Sequence, residues 1–241
     1  MPKQAVSITK TLAALADLSN DTTGPRSAPL KIHFHSSTTS PTIVTHPGAR
    51  LPKEAAAPNP LYSVSTSALS HLTIPNADLS PWTSADSHSS DGRINLPLSD
   101  PDQLVPKYLV VTLDLDAPFP SFPILGPILH GIQADLTLAT ENLDPDDEFI
   151  PLEPAEEDWS TGSAVVDYMG PAPPGPSAPH RYVFMLWEQP GELTTARICE
   201  EMGLPEDGDD VSMFSRVRWD QEGFERKLGL ERVVAGNYFV C

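Results

Sequence analysis

The sequence predicts a single all-β or α+β domain, with short strands through most of its length and helices near its end. Three observations support this prediction. The chain has 27 prolines among 241 residues, and proline favours loops, turns and edge strands over a helix bundle. From Pro29 onwards, short apolar segments with strand-like patterning are separated by turn residues. Helical spacing of apolar residues then follows after Gln189.

The first 28 residues are predicted to be an extension of this domain, either a short helix or disordered. The apolar residues of this extension roughly follow a helical stripe, formed by Val6, Ile8, Leu12, Leu15 and Leu18. Gly24-Pro25 ends the stripe. Because an isolated helix of this length is marginal in water, we expect it to lie on the domain surface, with partner binding as the alternative.

The domain itself is predicted to span residues 29–241. Its strand candidates are residues 30–35, 108–115, 181–189 and 233–240. Residues 124–138 are predicted to be a further buried stretch, broken by Gly126-Pro127 and Gly131. The segment 108–115 is the strongest, since most of its residues are apolar or favour strands. Residues 80–101 are rich in Ser, Asp and Pro and are predicted to form a long loop. Helices are predicted at residues 192–202 and 213–228, the second with Phe214, Val217, Gln221, Phe224 and Leu228 on one side.

The charge balance excludes several partners. The chain carries 15 basic and 33 acidic side chains, a net charge of −18. A surface that follows phosphates needs clustered Lys and Arg, so we expect no nucleic-acid binding and no docking on an anionic bilayer. Residues 141–158 hold nine acids and no base, within an acidic insert at about 141–167. We expect that insert to be a solvated loop, with a lid or a repulsive rim as alternatives.

No run approaches the roughly 18 apolar residues of a spanning helix, so we expect no transmembrane segment. Cys199 and Cys241 cannot make a disulfide framework and are expected to be free thiols, which favours a cytoplasmic protein. The chain has no nucleophile elbow, phosphate loop, zinc-protease motif or dinucleotide fingerprint. His33 and His35 have ligand spacing but no third partner, so we expect no metal and no cofactor.

The first segment with candidate chemistry runs from Asp114 to Pro118, at the end of the strongest strand, and His130 follows it twelve residues later. Alternate residues of a strand share a face, so the carboxylates of Asp114 and Asp116 are expected to lie side by side. We expect either a raised pKa and a shared proton, or a carboxylate that fixes the tautomer of a histidine. A simple turn cap is the structural alternative.

The second segment runs from Tyr168 through a Pro/Gly stretch at residues 170–175 to His180, Arg181 and Tyr182. Such a stretch has few accessible backbone conformations and is expected to present His180 from a rigid loop. On a strand, His180 and Tyr182 share one face, while Arg181 points away from them, towards an acid. A purely structural histidine is the alternative.

Taken together, these segments resemble the phosphatidylethanolamine-binding proteins, a family that includes animal Raf-kinase inhibitor proteins, plant flowering-time regulators and yeast carboxypeptidase inhibitors. The motifs occur in the family's order: Asp-x-Asp-Ala-Pro from Asp114, Leu-His at His130, Tyr-x-Gly-Pro-x-Pro-Pro from Tyr168, and His-Arg-Tyr-x-Phe from His180. The ending from Arg218 to Phe239 is similar to the family's last helix and closing strand. The resemblance covers residues 29–241, and we expect a fungal member.

The resemblance implies a β-sandwich with one large antiparallel sheet and helices at its C-terminal end. It also implies a small cavity at one sheet edge that takes phosphate, acetate or a phospholipid head group. Carried over by motif, the ligand-binding residues are Asp114, Asp116, Pro118, His130, Gly170, His180 and Tyr182. In the implied chemistry, a protonated histidine pair and the tyrosine hydroxyl donate to the anion, while a carboxylate orients the histidines.

Two positions depart from the family pattern. Leu115 stands where the family usually has Pro, and Gly131 follows His130 where the family usually has an aromatic residue. The missing side chain predicts a wider cavity, able to accept something bulkier than a head group.

Three functions follow from these residues and the resemblance. The first, which we favour, is a binding protein for an anionic small molecule: a phosphate, a carboxylate or a phospholipid head group. The second is an enzyme or accessory catalyst in fungal secondary metabolism, acting on acidic polyketide-derived intermediates of the maleic-anhydride type. Its candidate catalytic residues are His130, His180 and Asp114, and the wider cavity at Gly131 is the feature that favours it. The third is inhibition of a partner protease or kinase.

Overall fold

The computed structural model describes residues 5–19, 27–35, 40–69, 105–139, 147–155, 164–205 and 211–241. The predicted loop at residues 80–101 and much of the acidic insert lie outside the described residues. Within the described ranges the strands are β1 (Leu30–Phe34), β2 (Thr42–Val44), β3 (Ala49–Arg50), β4 (Pro60–Ser65), β5 (Lys107–Asp114), β6 (Ile128–Leu138), β7 (Phe149–Pro154), β8 (Ala164–Val166), β9 (Arg181–Gln189) and β10 (Val233–Val240). The helices are α1 (Val6–Ser19), α2 (Thr66–Leu69), α3 (Thr195–Met202), α4 (Met213–Arg216) and α5 (Gln221–Leu228).

The strands form one large sheet with the order β2-β1-β4-β7-β6-β5-β9-β10-β3, and β8 is added beside β6. Among the described strands every pairing is antiparallel except that of β10 with β3. The sheet folds back on itself, so that β1 and β2 face β10. The buried Asn237 on β10 joins the two halves, because its Nδ2 donates to the carbonyls of Leu30 and Val44 at 2.8 and 3.0 Å. The predicted mainly-β sandwich is therefore confirmed.

The central strands have an apolar core on each face. On β5, Leu109, Val111 and Leu113 belong to an outer core that α1, α3 and α5 cover. Tyr108 and Val110 belong to an inner core, which lies between the two halves of the sandwich. Alternation along a strand places Asp114 on the same face as Tyr108 and Val110. The site residue is thus on the inner face, at the end of an otherwise apolar strand.

The strand predictions match closely, and one neighbouring prediction is corrected. Residues 181–189 and 233–240 correspond to β9 and β10, and residues 30–35 and 108–115 correspond to β1 and β5 within one residue at each end. The buried stretch predicted at residues 124–138 breaks at Gly126-Pro127 as expected, but it does not break at Gly131, which lies within β6. Ile124 and Leu125 are exposed, because the chain still turns through Gly126-Pro127 before it enters the sheet.

The single helix predicted at residues 213–228 is wrong. Val217 is extended and forms a bridge to Ile128, and Arg218 has a positive φ of 56°. These two residues separate α4 from α5, and Asp220 caps α5 by accepting from the N–H of Gly223 at 2.9 Å. Since α4 is independent of α5, the Phe214 side chain is 93% exposed rather than packed on the predicted apolar side.

The helix predicted in the first 28 residues is present as α1. It packs against β10, and Ile8 and Leu15 are buried in this contact. Thr11 lies over Gly236, where an added Cβ would be only 2.7 Å from the Thr11 methyl carbon. Val6 departs from the predicted stripe and is 54% exposed. None of the helices in the described part of the chain is long and apolar enough to cross a bilayer.

Candidate functional site

Three neighbouring strands bring the predicted site residues to one edge of the sheet. The last residue of β5, Asp114, is paired with Ile128 of β6 and with Tyr182 of β9. His130 follows Ile128 by two residues, and His180 directly precedes β9. Because β5 is antiparallel to both neighbours, its end lies beside their beginnings. We refer to the buried residues Asp114, His130, His180 and Tyr182 as the edge cluster.

Asp114 and His180 form a buried ion pair. The Nδ1 of His180 lies 2.8 Å from one carboxylate oxygen of Asp114. The other carboxylate oxygen accepts from the backbone N–H of Asp116 at 2.8 Å. Asp114 therefore fixes the orientation of the His180 ring, which is one of the two roles expected from the sequence.

The second nitrogen of His180 also faces acceptors. Its Nε2 lies 3.2 Å from the carbonyl of Pro118 and 2.9 Å from the hydroxyl oxygen of Ser177. That hydroxyl donates its proton to the carbonyl of Ala178 at 2.8 Å, so it accepts from His180. Both ring nitrogens thus donate within the protein, and an imidazolium paired with the Asp114 carboxylate satisfies every one of these bonds.

The Asp116 carboxylate is paired with Arg181 and not with the Asp114 carboxylate, which corrects the prediction of a side-by-side carboxylate pair. β5 ends at Asp114 and the chain bends at the next two residues, so strand alternation no longer applies. Asp116 instead accepts from Nη2 and Nε of Arg181 at 2.6 and 2.8 Å, and from the Arg181 backbone N–H at 2.9 Å. The prediction that Arg181 points away from its neighbours towards an acid is confirmed.

His130 is held by the chain segment that crosses above it. Its Nδ1 lies 2.5 Å from the carbonyl of Met169, and the Met169 N–H donates to the His130 carbonyl at 2.7 Å. A carbonyl can only accept, so Nδ1 carries the proton. Burial lowers the pKa of His130, and the positive charges of Arg216 and His180 add to this, against the raising effects of the Met169 bond and Asp114.

The ring of His130 is therefore neutral near pH 7, with its single proton on Nδ1. Its Nε2 is left as a bare acceptor, and none of the hydrogen bonds among the described residues uses it. The resemblance implied a protonated histidine pair that donates to an anion. The Nδ1 bond and the lowered pKa together correct this for His130, since the neutral ring accepts a hydrogen bond at Nε2.

Tyr182 lies between the two histidines. Its ring meets that of His130 edge-on at 5.1 Å between centroids and stacks with that of His180 at 6.5 Å. The side chain is fully buried, and its hydroxyl lies near the Asp114 carboxylate and the Ala172 backbone but forms no hydrogen bond of good geometry with the described residues. Burial, followed by the negative charge of Asp114, raises the pKa of Tyr182 well above its ordinary value. The hydroxyl is thus protonated and able to donate.

The two glycines of the predicted site serve close packing. An added Cβ on Gly131 would be 3.2 Å from the Cα of Tyr168 and 3.5 Å from the carbonyl oxygen of Val166. Backbone therefore occupies the space that an aromatic residue would need, and the predicted widening of a cavity at Gly131 is not found. Gly170 similarly approaches Ala57, whose Cα would be 3.0 Å from an added Cβ.

Arg216, which sequence analysis missed, holds the crossing segment in place. Its buried guanidinium donates through Nη1 to the carbonyls of Leu129, His130 and Asp167, at 3.5, 3.4 and 3.0 Å. These bonds tie the start of β6 to the segment that carries Met169. The only sequence signal was an arginine in an apolar helical pattern, and its acceptors are backbone carbonyls that no sequence pattern reveals.

Cys241 is a second neighbour of the site that the sequence did not reveal. Its backbone N–H donates to the carbonyl of His180 at 3.0 Å, and its carbonyl accepts from the His180 N–H at 2.7 Å. Directly opposed residues of an antiparallel pair have adjacent side chains on one face. The Cys241 thiol is half-buried and close enough to Tyr168 and Tyr182 to raise the pKa of both, after the larger effect of burial.

Comparisons with known proteins bear on the family and the fold of the chain. Residues 66–238 match the family model described as phosphatidylethanolamine-binding protein. The carboxypeptidase Y inhibitor of Saccharomyces cerevisiae is 29% identical over 132 residues, which cover 55% of this chain and 58% of that protein. Phomoidride biosynthesis cluster protein N of Talaromyces stipitatus is 32% identical over 139 residues, which cover 56% of this chain and 58% of that protein. The matches thus span less than two thirds of either relative.

A solved structure supports the fold. The carboxypeptidase Y inhibitor, crystallised in complex with its cognate proteinase, superposes with a TM-score of 0.56. The superposition covers 96% of this chain and 91% of the inhibitor, at 22% sequence identity. Similarity at this level establishes a common architecture and leaves ligand and partner to be argued from the site.

Proposed function

The chain belongs to the phosphatidylethanolamine-binding protein family, and from this premise we propose that it binds a small acid at the edge cluster. The acid is of the phosphate or carboxylate class. Inorganic phosphate, a phosphomonoester, a phospholipid head group and a small carboxylic acid are the sources to be compared.

The observation that carries the proposal is a pair of polar groups on the inner face of the sheet whose hydrogen-bonding capacity is unused. The Tyr182 hydroxyl is a buried donor without a partner among the described residues, and the His130 Nε2 is an acceptor that none of their hydrogen bonds uses. A buried hydroxyl such as that of Tyr182 is almost always hydrogen-bonded in folded proteins. A ligand that accepts from one of these groups and donates to the other satisfies both.

The charges around the edge cluster suit an acid. Arg181 neutralises Asp116 and His180 neutralises Asp114, while Arg216 adds a guanidinium beside His130. An acidic ligand therefore meets a local field that is less negative than the surface of a chain with a net charge of −18. The backbone around Pro118 and Ser177 contributes by holding His180 in place.

Two measurements test the proposal. Native mass spectrometry of the purified protein, alone and mixed with extract from its own source, detects any retained acid. An NMR titration with inorganic phosphate, acetate and phosphoethanolamine then locates the site. We expect shift changes at His130 and Tyr182, and we expect His180→Gln to abolish them. Binding with all shift changes outside the edge cluster, or no binding at millimolar ligand, would contradict the proposal.

Catalysis is a second candidate that one observation favours. A neutral histidine with Nδ1 fixed by a carbonyl and Nε2 bare is the arrangement of a general base. The adjacent Tyr182 hydroxyl is able to stabilise the oxyanion that forms when a carbon acid loses its proton. The family resemblance implied acidic intermediates of the maleic-anhydride type as its substrates, and the similarity to a biosynthesis cluster protein supports a role in a biosynthetic pathway.

Proton exchange tests this second candidate. 2,3-Dimethylmaleic anhydride in deuterated buffer should exchange its methyl protons faster with the protein than without it, as followed by proton NMR. His130→Gln should remove that acceleration, and His35→Gln, at an exposed histidine, should keep it. Equal rates with and without the protein would exclude His130 as a base for this class.

Inhibition of a partner protein is a third candidate, favoured by an exposed apolar loop directly after Pro118. This loop exposes the side chains of Phe119, Phe122, Ile124 and Leu125. Exposed apolar groups in such a cluster are typical of protein-binding surfaces. Purified carboxypeptidase Y is the first enzyme to test, because the inhibitor of that enzyme is a relative. Inhibition should weaken in Phe122→Ser and persist in Ile43→Ser, at another exposed apolar side chain, on β2.

A further inference from the structure

We propose that the edge cluster selects ligands that carry their own acidic proton: it binds an oxyanion that retains an O–H group and discriminates against anions that can only accept hydrogen bonds. This inference rests on the proposed small-acid binding and specifies its substrate class. Hydrogen phosphate and singly ionised phosphomonoesters belong to the favoured class. Sulfate and phosphodiesters, including the head group of an intact phospholipid, belong to the disfavoured class.

The first step is to identify the hydrogen-bonding groups of the edge cluster that remain available to a ligand. Both nitrogens of His180 are occupied by Asp114, Pro118 and Ser177, so this ring has no free N–H for a ligand. The His130 Nδ1 is occupied by the Met169 carbonyl. What remains is the Tyr182 hydroxyl, which donates, and the His130 Nε2, which accepts.

The second step is that His130 keeps this state at neutral pH. The charged or titratable groups around it are Asp114 of β5, Tyr182 of β9, His180 just before β9, and Arg216 of α4. Burial is the largest effect and opposes protonation of the ring, and the charges of Arg216 and His180 add to it. The Met169 hydrogen bond and Asp114 favour protonation, and Tyr182 stays neutral. The net effect lowers the pKa of His130, so a proton on Nε2 is disfavoured at neutral pH.

The third step is the consequence for an anion. An acceptor-only anion that receives a bond from Tyr182 would turn an oxygen lone pair towards the bare lone pair of His130 Nε2. A P–OH group instead donates to that nitrogen while a second phosphate oxygen accepts from Tyr182. One such mismatch in a buried site is enough to change affinity at least tenfold.

Isothermal titration at pH 7 and fixed ionic strength, with sodium phosphate and sodium sulfate in turn, tests the selectivity. We expect phosphate to bind at least ten times more tightly than sulfate. His130→Gln should bring the ratio close to one, because a glutamine amide rotates to donate or accept. His35→Gln, a matched change at an exposed histidine, should leave the ratio unchanged.

Two further ligands separate a free phosphate from a lipid source. Phosphoethanolamine should bind more tightly at pH 5.5, where it keeps a P–OH, than at pH 8, where it does not. Glycerophosphoethanolamine, a diester without that proton, should bind at least tenfold more weakly than phosphoethanolamine at pH 5.5. The ¹⁵N shifts of His130 should report the Nδ1–H tautomer in the free protein.

The outcomes distinguish this inference from the proposed function. Equal affinity for phosphate and sulfate, or a proton on the His130 Nε2, would overturn the selectivity and leave small-acid binding in place. Tight binding of the diester would also overturn it and favour a lipid head group. No binding of any of the four ligands would overturn the proposed function itself.

Discussion

The two ends of the strands β5, β6 and β9 hold different kinds of polar cluster. At the end opposite the edge cluster, the carboxylate of Asp135 on β6 accepts from Lys107 Nζ at 2.8 Å and from Gln189 Nε2 at 2.9 Å. It also accepts from the hydroxyl and the backbone N–H of Thr195, at 2.7 and 3.1 Å. We refer to Lys107, Asp135, Gln189 and Thr195 as the Asp135 junction.

The junction uses its hydrogen-bonding groups within the protein, whereas the edge cluster does not. The N–H of Asp135 donates to Gln189 Oε1 at 2.8 Å, and Gln189 Nε2 also donates to the Leu193 carbonyl at 2.6 Å. At the other end, the Tyr182 hydroxyl and the His130 Nε2 form no hydrogen bond with the described residues. A cluster of charged side chains therefore does not by itself indicate a binding site in this fold. The proposed site differs because an unused donor and an unused acceptor occur there together.

Removing the Asp135 carboxylate should have the largest effect on stability. Asp135→Ala leaves Lys107, Gln189 and Thr195 without their shared acceptor, and it places alanine at a positive φ of 53°. We expect the free energy of unfolding to fall by about 3–5 kcal/mol, from the lost hydrogen bonds to a charged acceptor together with the strained alanine backbone. Urea denaturation measures the loss. Phosphate affinity of the folded fraction should not change.

Asp135→Asn is the matched control, because asparagine tolerates the same φ and keeps one acceptor oxygen. Burial acts to raise the pKa of the Asp135 carboxyl, but the bonds from Lys107, Thr195 and Gln189 outweigh it and the pKa lies below its usual value. The stabilisation is therefore complete above the unfolded pKa near 4 and is lost as the pH falls through the folded pKa. Asp135→Asn should lack this acid loss.

Gly131→Ala should have an intermediate effect. The added methyl group meets the Cα of Tyr168 at 3.2 Å, and backbone cannot move aside as a flexible side chain would. We expect a loss of about 1–3 kcal/mol, typical of overpacking, together with a change in the ¹⁵N shifts of His130. Gly175→Ala is the control, since an added Cβ there has nothing within 4 Å. If Gly131→Ala left the free energy of unfolding unchanged, the added methyl group would have space, and the prediction of a wider cavity at Gly131 would stand.

The neutral state of His130 should give a smaller, pH-dependent contribution. Its pKa is lowered in the folded protein, so the unfolded chain takes up the proton first as the pH falls. Stability is therefore complete above the unfolded pKa near 6.5 and decreases below it, by at most about 1.4 kcal/mol per pH unit for one group. Denaturation at pH 7.5 and 5.5 should show a shallower decrease for His130→Gln. His33, whose pKa burial also lowers, contributes to both proteins.

Sequence patterns predicted the fold well where periodicity and turn residues determine it. β9 and β10 were predicted at their observed bounds, because each is an apolar run that a turn precedes. The break at Val217 and Arg218 was missed, since it depends on a bridge to Ile128 that is distant in sequence. Helical spacing alone could not reveal that competing partner.

The same limit applies to the site. The motifs identified Asp114, His130, His180 and Tyr182, because strand alternation and strand ends are local properties. The tautomer of His130 depends on the carbonyl of Met169, 39 residues away, which no side-chain pattern encodes. The error at Gly131 has a similar origin, since a missing side chain predicts space only if no other backbone fills it.

Removing the two buried tyrosine hydroxyls that lack a hydrogen-bond partner should have the smallest effect on stability. It should also give the sharpest contrast between the two ends of the strands. Tyr108 lies at the start of β5 near the junction, and Tyr182 lies in the edge cluster. Both hydroxyls are buried without a partner among the described residues. Phenylalanine removes an unsatisfied polar atom in each case, so Tyr108→Phe and Tyr182→Phe should be neutral or stabilising by up to about 1 kcal/mol.

Ligand binding should separate these two variants completely. In the proposed site the Tyr182 hydroxyl donates to the bound phosphate, whereas the Tyr108 hydroxyl does not. Tyr182→Phe should therefore lower phosphate affinity at least tenfold, and Tyr108→Phe should leave it unchanged. Calorimetric titration of both variants beside the wild type measures this. If both variants bound phosphate as the wild type does, Tyr182 would be as structural as Tyr108. Unused hydrogen-bonding capacity would then fail as a guide to the binding site.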